Sequence, residues 1–89
     1  MTLQLIRLKS FIKEQEKAKK RGKNLKKLQA IVAMLVEDQP LPAKNCNHKL
    51  KGDYIGFWEC HIEPDWLLIY QKTETEIRLI CMGSHSDLF

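Results

Sequence analysis

The spacing of the hydrophobic residues changes near residue 40, and this change limits the possible folds more than any other feature. Before it, apolar side chains recur every three or four positions, as on a helix with one apolar face: Leu25, Leu28, Val32, Leu35 and Val36. After it, short segments are rich in β-branched and aromatic residues, which favour strands. The chain must therefore combine helices and strands around one core.

The expected order of elements is one strand, two helices and then three strands. Residues 2–8 alternate as a first strand, and Ser10 and Asn24 are the expected N-caps of the helices. The helices are expected over Phe11–Lys20 and from Leu25 to a point before Pro40, and the later strands over Tyr54–Cys60, Trp66–Lys72 and Glu76–Met82. Short connections make these strands antiparallel neighbours. The sequence thus predicts one α+β domain over residues 1–89, with both helices on one face of an antiparallel sheet.

Composition narrows the class of protein. Hydrophobic residues make up 44% of the chain and charged residues 29%, which excludes disordered, collagen-like and coiled-coil sequences. The longest apolar run, Ile31–Val36, is far shorter than the roughly 20 residues that cross a bilayer, and no secretory signal follows Met1. The three cysteines are an odd count without a CxxC pair, as in a reducing compartment. We therefore expect a cytoplasmic protein without a membrane partner.

Charge is divided unevenly along the chain. Residues 1–30 carry ten Lys and Arg against two Glu, whereas residues 31–89 carry five against nine Asp and Glu. The basic residues concentrate around the turn between the helices: Lys17, Lys19, Lys20, Arg21, Lys23, Lys26 and Lys27. Such a run forms either a solvated helical face or a surface for a polyanion. Its density favours contact with nucleic-acid phosphates.

Four groups that can transfer protons lie in the second half of the chain, beside turns or strand ends: His48, His61, Asp65 and His85. Adjacent antiparallel strands can bring such positions together on one rim. Histidines and a carboxylate are the groups that general acid–base catalysis needs near neutral pH. In RNA cleavage, one group takes the proton of the ribose 2′-hydroxyl, another protonates the departing 5′-oxygen, and cations stabilise the phosphate.

These residues also have other readings. Histidines are more often structural or solvent-exposed than catalytic. A zinc site would have to draw on Cys46, His48, Cys60, His61, Cys81 or His85, whose spacing fits no usual zinc pattern, so we expect neither metal nor cofactor. Trp66 and the terminal Phe89 could stack on bases near the same rim. Trp66 fits a core position equally well, and Phe89 could instead hold the C-terminus in place.

Three blocks carry a more specific signal: Asn47-His48-Lys49-Leu50-Lys51-Gly52, Cys60-His61-Ile62-Glu63-Pro64-Asp65-Trp66-Leu67-Leu68-Ile69-Tyr70 and Gly83-Ser84-His85-Ser86-Asp87-Leu88-Phe89. In this order and spacing they strongly resemble YafQ-type toxins of the RelE/ParE superfamily, which are bacterial type II toxin–antitoxin ribonucleases. The resemblance covers essentially the whole chain, including the helical hairpin. It implies a RelE-like fold in the order β-α-α-β-β-β.

The resemblance also implies an activity, a site and partners. The activity is metal-independent cleavage of mRNA in the ribosomal A site. The catalytic set falls on His48, His61, Asp65 and His85, with Trp66 and Phe89 beside them. The partners are a DinJ/RelB-like antitoxin, the 70S ribosome with its mRNA, and operator DNA only through the antitoxin complex. The basic turn would then contact ribosomal RNA phosphates without reading sequence.

Two positions depart from this family: Trp58 and Cys81 stand where close relatives usually carry arginine. An arginine there would bind the scissile phosphate, and neither Trp nor Cys can replace a guanidinium. The expectation is therefore a ribonuclease toxin of attenuated activity. The alternative is a binding module of the same fold that acts mainly in the antitoxin complex and in operator repression. The histidine set disfavours a third reading, a gyrase poison, because that action requires no proton transfer.

Overall fold

The structure is a computed structural model that describes residues 2–51 and 56–88. Its elements, in chain order, are β1 (Gln4–Arg7), α1 (Lys9–Lys20), α2 (Leu25–Val36), β2 (His48–Lys49), β3 (Trp58–Glu63), β4 (Trp66–Lys72), β5 (Glu76–Gly83) and α3 (His85–Leu88). A 3-10 turn at Ala43–Asn45 precedes β2. The predicted α+β class and its pair of long helices are confirmed. No helix in the described ranges is long and apolar enough to span a membrane.

The described strands form one sheet in the order β1-β5-β4-β3-β2. The predicted antiparallel pairing of β3 with β4 and of β4 with β5 is confirmed. The prediction of an all-antiparallel sheet is wrong, because β1 pairs with β5 in parallel. The helical hairpin carries the chain from β1 to β2 at the far edge of the sheet, and three antiparallel steps from β2 to β5 leave β5 running in the same direction as β1.

The boundaries of β4 and β5 agree closely with the prediction, whereas those of β2 and β3 differ from it. β4 has the predicted bounds, and β5 extends the prediction by one residue to Gly83. The strand expected over Tyr54–Cys60 begins at Trp58 among the described residues and continues to Glu63, while residues 52–55 lie outside the described part. The two-residue strand β2 was not predicted, because a segment that short has no periodicity to detect.

The helix caps show why one predicted boundary is wrong. Asn24 caps α2 as expected, since its Oδ1 accepts a hydrogen bond from the Lys26 backbone N–H at 3.1 Å. Ser10 does not cap α1, which begins at Lys9, two residues before the predicted start, with Leu8 as its N-cap. The Ser10 hydroxyl instead donates to the backbone carbonyl of Ile80, so it ties the helix to β5.

The core lies between the helices and the sheet. Phe11 of α1 and Leu28 of α2 are buried against side chains of the three central strands, among them Leu68 and Leu79. From Trp66 to Tyr70 every residue of β4 is buried, as expected for a strand in the middle of the sheet with both of its faces covered. The histidines and carboxylates proposed for catalysis therefore lie on its neighbours and at the strand ends.

Candidate active site

A buried carboxylate joins two of the predicted histidines. His48 on β2 is directly opposite Glu59 on β3, and His61 follows two residues later, so all three share one face of the sheet. Glu59 Oε1 lies 3.6 Å from Nε2 of His48 and 3.6 Å from Nε2 of His61. Glu59 is only 4% exposed, and charged side chains are rarely buried without partners. This carboxylate was not among the site residues predicted from the sequence.

His85 completes the set from the other side. Its ring lies 6.0 Å from the ring of His61, centroid to centroid, in an edge-on arrangement. The backbone N–H of His85 donates to Asp65 Oδ1 at 3.2 Å, and its ring Nδ1 lies 3.7 Å from the same oxygen. The structure therefore brings all four predicted proton-transfer residues to one rim, with His61 between the His48–Glu59 pair and the His85–Asp65 pair. His61 is half-buried, whereas His85 and Asp65 are exposed.

Reciprocal hydrogen bonds hold the short helix that carries His85. The Ser84 backbone N–H donates to Asp87 Oδ2 at 3.0 Å, and the Asp87 backbone N–H lies 3.2 Å from Ser84 Oγ, to which it donates. This is the capping-box arrangement of a helix N-terminus. These bonds with Ser84, and more weakly the charges of Arg21 and Lys17, hold the pKa of Asp87 below its usual value. His85 is thus placed by its neighbours on both sides.

The predicted basic turn lies beside this rim. Lys17, Arg21 and Lys23 line a pocket of about 250 Å³ together with Asp65 and Asp87. The ammonium groups of Lys27 and Lys23 lie 3.1 and 3.6 Å from carboxylate oxygens of Glu63, just before Asp65 in the chain, and the hydrogen bond from Lys27 is the main cause that lowers the pKa of Glu63. The other members of the run, Lys19, Lys20 and Lys26, are also exposed.

Two aromatic residues, Trp66 and Phe89, were proposed to stack on bases, and the structure describes only Trp66. Trp66 belongs to the core cluster and is 3% exposed, and the Lys23 ammonium lies 5.6 Å from its ring centroid. This leaves little ring surface for a base, so the core reading of Trp66 describes its position better. Phe89 lies outside the described residues.

Strand register separates Trp58 and Cys81, the two positions at which the resemblance leads us to expect an arginine. Cys81 is opposite Ile69, and Ile69 is opposite Glu59, so Cys81 lies on the face of the sheet that carries the His48–Glu59 pair. Trp58 is opposite Tyr70 and packs on the helix side, where the two rings stack with centroids 6.3 Å apart. Of the two positions, only residue 81 shares a face of the sheet with Glu59 and His61.

Comparison with known proteins decides the family. Residues 3–89 match the family described as the bacterial toxin of type II toxin–antitoxin systems, YafQ. The chain belongs to the YafQ toxin family. The resemblance expected from the three sequence blocks is therefore confirmed, and with it the RelE-like fold.

Three relatives support the family assignment, one by its sequence and two by their solved structures. The mRNA interferase toxin YafQ of Escherichia coli K12 is 38% identical over 80 residues, which cover 89% of this chain and 87% of that protein. A metal-bound toxin from Helicobacter pylori is 42% identical, with a TM-score of 0.92 and coverage of 98% of this chain and 99% of that one. YafQ in the E. coli DinJ-YafQ toxin–antitoxin complex is 33% identical, with a TM-score of 0.93 and coverage of 100% and 99%.

The metal-bound toxin from Helicobacter pylori directs attention to the metal donors of this chain. Residues 2–51 and 56–88 contain no group of three or more His, Cys, Asp or Glu side chains placed to hold a metal ion. Cys60, one donor considered for zinc, is fully buried in the core and on the opposite face of β3 from His61. Burial, and to a lesser extent the neighbouring Glu59 charge, raises the pKa of its thiol to about 12. The described residues therefore do not form the zinc site considered above.

Proposed function

We propose that this chain is a toxin whose activity is ribosome-dependent cleavage of mRNA by acid–base chemistry that needs no metal. The observation that carries the proposal is the rim on which His61 and His85 lie 6.0 Å apart, each with a carboxylate neighbour. Two imidazoles at this spacing can serve the two oxygens of one phosphodiester, the attacking and the leaving one. Family membership and the E. coli mRNA interferase relative support the same reaction.

In this mechanism the ribose 2′-hydroxyl attacks the adjacent phosphorus atom and the bond to the 5′-oxygen breaks. One member of the set takes the 2′-hydroxyl proton, and another gives a proton to the departing oxygen. Glu59 Oε1 lies 3.6 Å from Nε2 of both His48 and His61, so the carboxylate attracts each imidazole while that ring carries a proton on Nε2. His85 is the most exposed imidazole of the set at 59%, so we expect it to be the most important proton-transfer group.

The surroundings of the rim support the proposed partners. The basic turn lies next to Asp65 and Asp87, so phosphates of ribosomal RNA would be bound beside the mRNA strand that is cut. Such contacts position the toxin without reading sequence. A complex with a DinJ-like antitoxin is proposed because the E. coli relative forms one with DinJ. Operator DNA would be contacted only through that complex.

The test of this function is cleavage of a defined mRNA on translating ribosomes. His85→Ala should lower the cleavage rate about 10²- to 10⁴-fold, because a positioned acid or base contributes that much. Ser86→Ala is the matched control, an exposed neighbour that should leave the rate unchanged. A His85→Ala protein that cuts as fast as the parent would overturn the assignment.

Two further arms test the conditions of the reaction. The same mRNA without ribosomes should stay intact, and equal cleavage there would remove ribosome dependence from the proposal. A toxin stripped of transition metals by chelation and dialysis should cut at the parent rate in ribosome buffer. A rate that falls on stripping and returns with added zinc or copper would contradict the metal-independent mechanism.

The second candidate function is a catalytically weak binding module. The observation in its favour is Cys81, which places a neutral thiol on the face where an arginine would stabilise the phosphate. Burial, followed by the charge of Glu14, raises the pKa of this thiol above its usual value. A toxin that binds its antitoxin but leaves ribosome-bound mRNA intact would show this second function.

A further inference from the structure

The three residues before His48 make hydrogen bonds in three different directions. We propose that Asn45-Cys46-Asn47 is a positioning segment that sets the orientation and the tautomer of His48. The inference rests on the proposed function only in that His48 is there a member of the proton-transfer set. None of the three residues needs to touch RNA for this role.

The two asparagines anchor the segment to the sheet on either side of Cys46. Asn45 is buried, and its side-chain Nδ2 donates to the backbone carbonyl of His61 at 2.7 Å. Asn47 Oδ1 accepts a hydrogen bond from the Tyr70 hydroxyl at 2.6 Å, and Tyr70 is itself fully packed in the core on β4. The segment is therefore held to two strands: Asn45 is bonded to the backbone of His61 on β3, and Asn47 is bonded to Tyr70 on β4.

Between these anchors, the backbone of Cys46 has an uncommon conformation. Its φ of 47° and ψ of 46° place it in the left-handed region, which L-residues with a Cβ atom rarely adopt. A residue persists there only when its surroundings hold it, and the bonds of Asn45 and Asn47 do so. In this conformation the Cys46 carbonyl oxygen lies 2.7 Å from Nδ1 of the His48 ring.

That contact determines which ring nitrogen exchanges protons. A carbonyl oxygen can only accept a hydrogen bond, so Nδ1 of His48 must carry the hydrogen. In the neutral ring the lone pair then lies on Nε2, the atom 3.6 Å from Glu59 Oε1 and on the His61 side. A ring turned over, or in the other tautomer, would present a hydrogen there instead. The segment thus prepares His48 to accept a proton at the rim.

The deciding experiment compares Cys46→Gly with Cys46→Val in the full chain. Both variants remove the thiol at an exposed position, so its loss cancels in the comparison. Glycine adopts positive φ readily, whereas β-branched valine disfavours it. Nitrogen-15 shifts of the His48 ring report the tautomer directly. The parent and Cys46→Gly should show hydrogen on Nδ1 in the neutral ring, and Cys46→Val should shift toward hydrogen on Nε2.

The cleavage assay supplies the second readout. Cys46→Val should lower kcat about 10- to 100-fold with KM nearly unchanged, because it affects one proton-transfer group and not RNA binding. Cys46→Gly, the conservative variant for this backbone, should retain the parent rate. Equal tautomers in Gly, Val and parent proteins would overturn the proposal. A parent that fails to cut mRNA would contradict the proposed function. The tautomer measurement needs no activity, so it would still test the positioning of His48.

A second pair of variants tests the anchor at Tyr70. Asn47→Ala removes the acceptor of the Tyr70 hydroxyl, whereas Asn47→Asp keeps an oxygen in the same place. The alanine variant should disturb the His48 ring signals and lower kcat, and the aspartate variant should restore both toward the parent. An alanine variant with parent-like His48 signals and kcat would contradict the role of Asn47. Thermal melting of each protein separates these effects from a general loss of fold.

Discussion

At the scale of single residues, an arginine should act differently at the two positions where the resemblance leads us to expect one, because strand register places Trp58 and Cys81 on opposite faces of the sheet. Cys81 shares a face with Glu59 and lies four residues before His85 on the strand that leads to the rim. Cys81→Arg should raise ribosome-dependent cleavage by about 10²- to 10³-fold, the size of one donor to a developing oxyanion. The measurement is the initial cleavage rate, with growth arrest on induction as the cellular readout.

Trp58→Arg is the matched comparison, since it adds the same guanidinium on the helix side. This variant would lack the ring that stacks on Tyr70 and that the Lys49 ammonium approaches, 5.4 Å from the Trp58 centroid. We expect lower thermal stability and little gain in cleavage. Equal gains from both variants would contradict the assignment of the two positions to opposite faces. Failure of both to activate an inert parent would favour the binding module.

Glu59 is a site residue that could not be predicted from the sequence alone. In the sequence it is one carboxylate among several in the second half, with no spacing that sets it apart. Glu59 becomes important because His48 on the adjacent strand β2 lies opposite it, and because His61 lies two residues further along β3 on the same face. The short strand β2 that creates this pairing has no detectable period. The histidines could be proposed from their residue type, whereas the carboxylate between them could be identified only once the strand register was known.

At the scale of elements, the single turn of α3 depends on its capping residues. Ser84→Ala removes the oxygen that accepts from the Asp87 N–H, so α3 should unfold locally more often. We expect about tenfold faster amide exchange at Asp87 and Leu88 in this variant, together with a lower cleavage rate, because His85 begins this helix. Ser86→Ala makes the same chemical change two residues away and should alter neither. Equal exchange in the two variants would show that the cap does not hold α3.

The lowered pKa of Asp87 gives this helix a defined dependence on pH. Because the folded state favours the charged carboxylate, its contribution to α3 is complete above the ordinary Asp value of 3.8. The contribution disappears as the pH falls through the lowered pKa. The Ser84 and Asp87 amide shifts should therefore move only in strong acid, and Asp87→Asn should abolish that movement. A transition near neutral pH at these amides would contradict the assignment.

Most elements could be predicted because they are long enough to show a period. α2, β4 and β5 repeat apolar residues over seven or more positions, and Asn24 marks a helix start by a local hydrogen bond. The parallel partner of β1 could not be predicted, since strand direction depends on where the helical hairpin returns the chain. Ser10 failed as a cap because its hydroxyl has a distant partner, the Ile80 carbonyl. Local signals were reliable where local interactions dominate.

At the scale of the whole molecule, the fold joins the two halves of an uneven charge distribution. The excess of Lys and Arg in residues 1–30 and the histidine set of residues 31–89 are distant in sequence, yet the turn between α1 and α2 lies against the loop that carries Asp65. The turn proposed to bind phosphates and the residues proposed to transfer protons are therefore adjacent on one edge. A long RNA could occupy both at once, which a short oligonucleotide could not.

This arrangement predicts how ribosome binding responds to salt. Lys19, Lys20 and Lys26 are exposed and enter none of the ion pairs found within residues 2–51 and 56–88, so replacing all three with Glu leaves those pairs intact. The triple variant should bind ribosomes more weakly, and the slope of log affinity against log salt should fall by roughly one unit for each phosphate that the toxin no longer binds. The control replaces Arg7, Lys9 and Lys13 with Glu, which changes the net charge equally at the other end of α1. Both triples lower the long-range attraction of the chain for RNA, but only the first removes cations of the basic turn. A parent-like slope in the first triple would show that Lys19, Lys20 and Lys26 form a solvated face, and an equal fall in both triples would show a general effect of charge and no binding by these lysines.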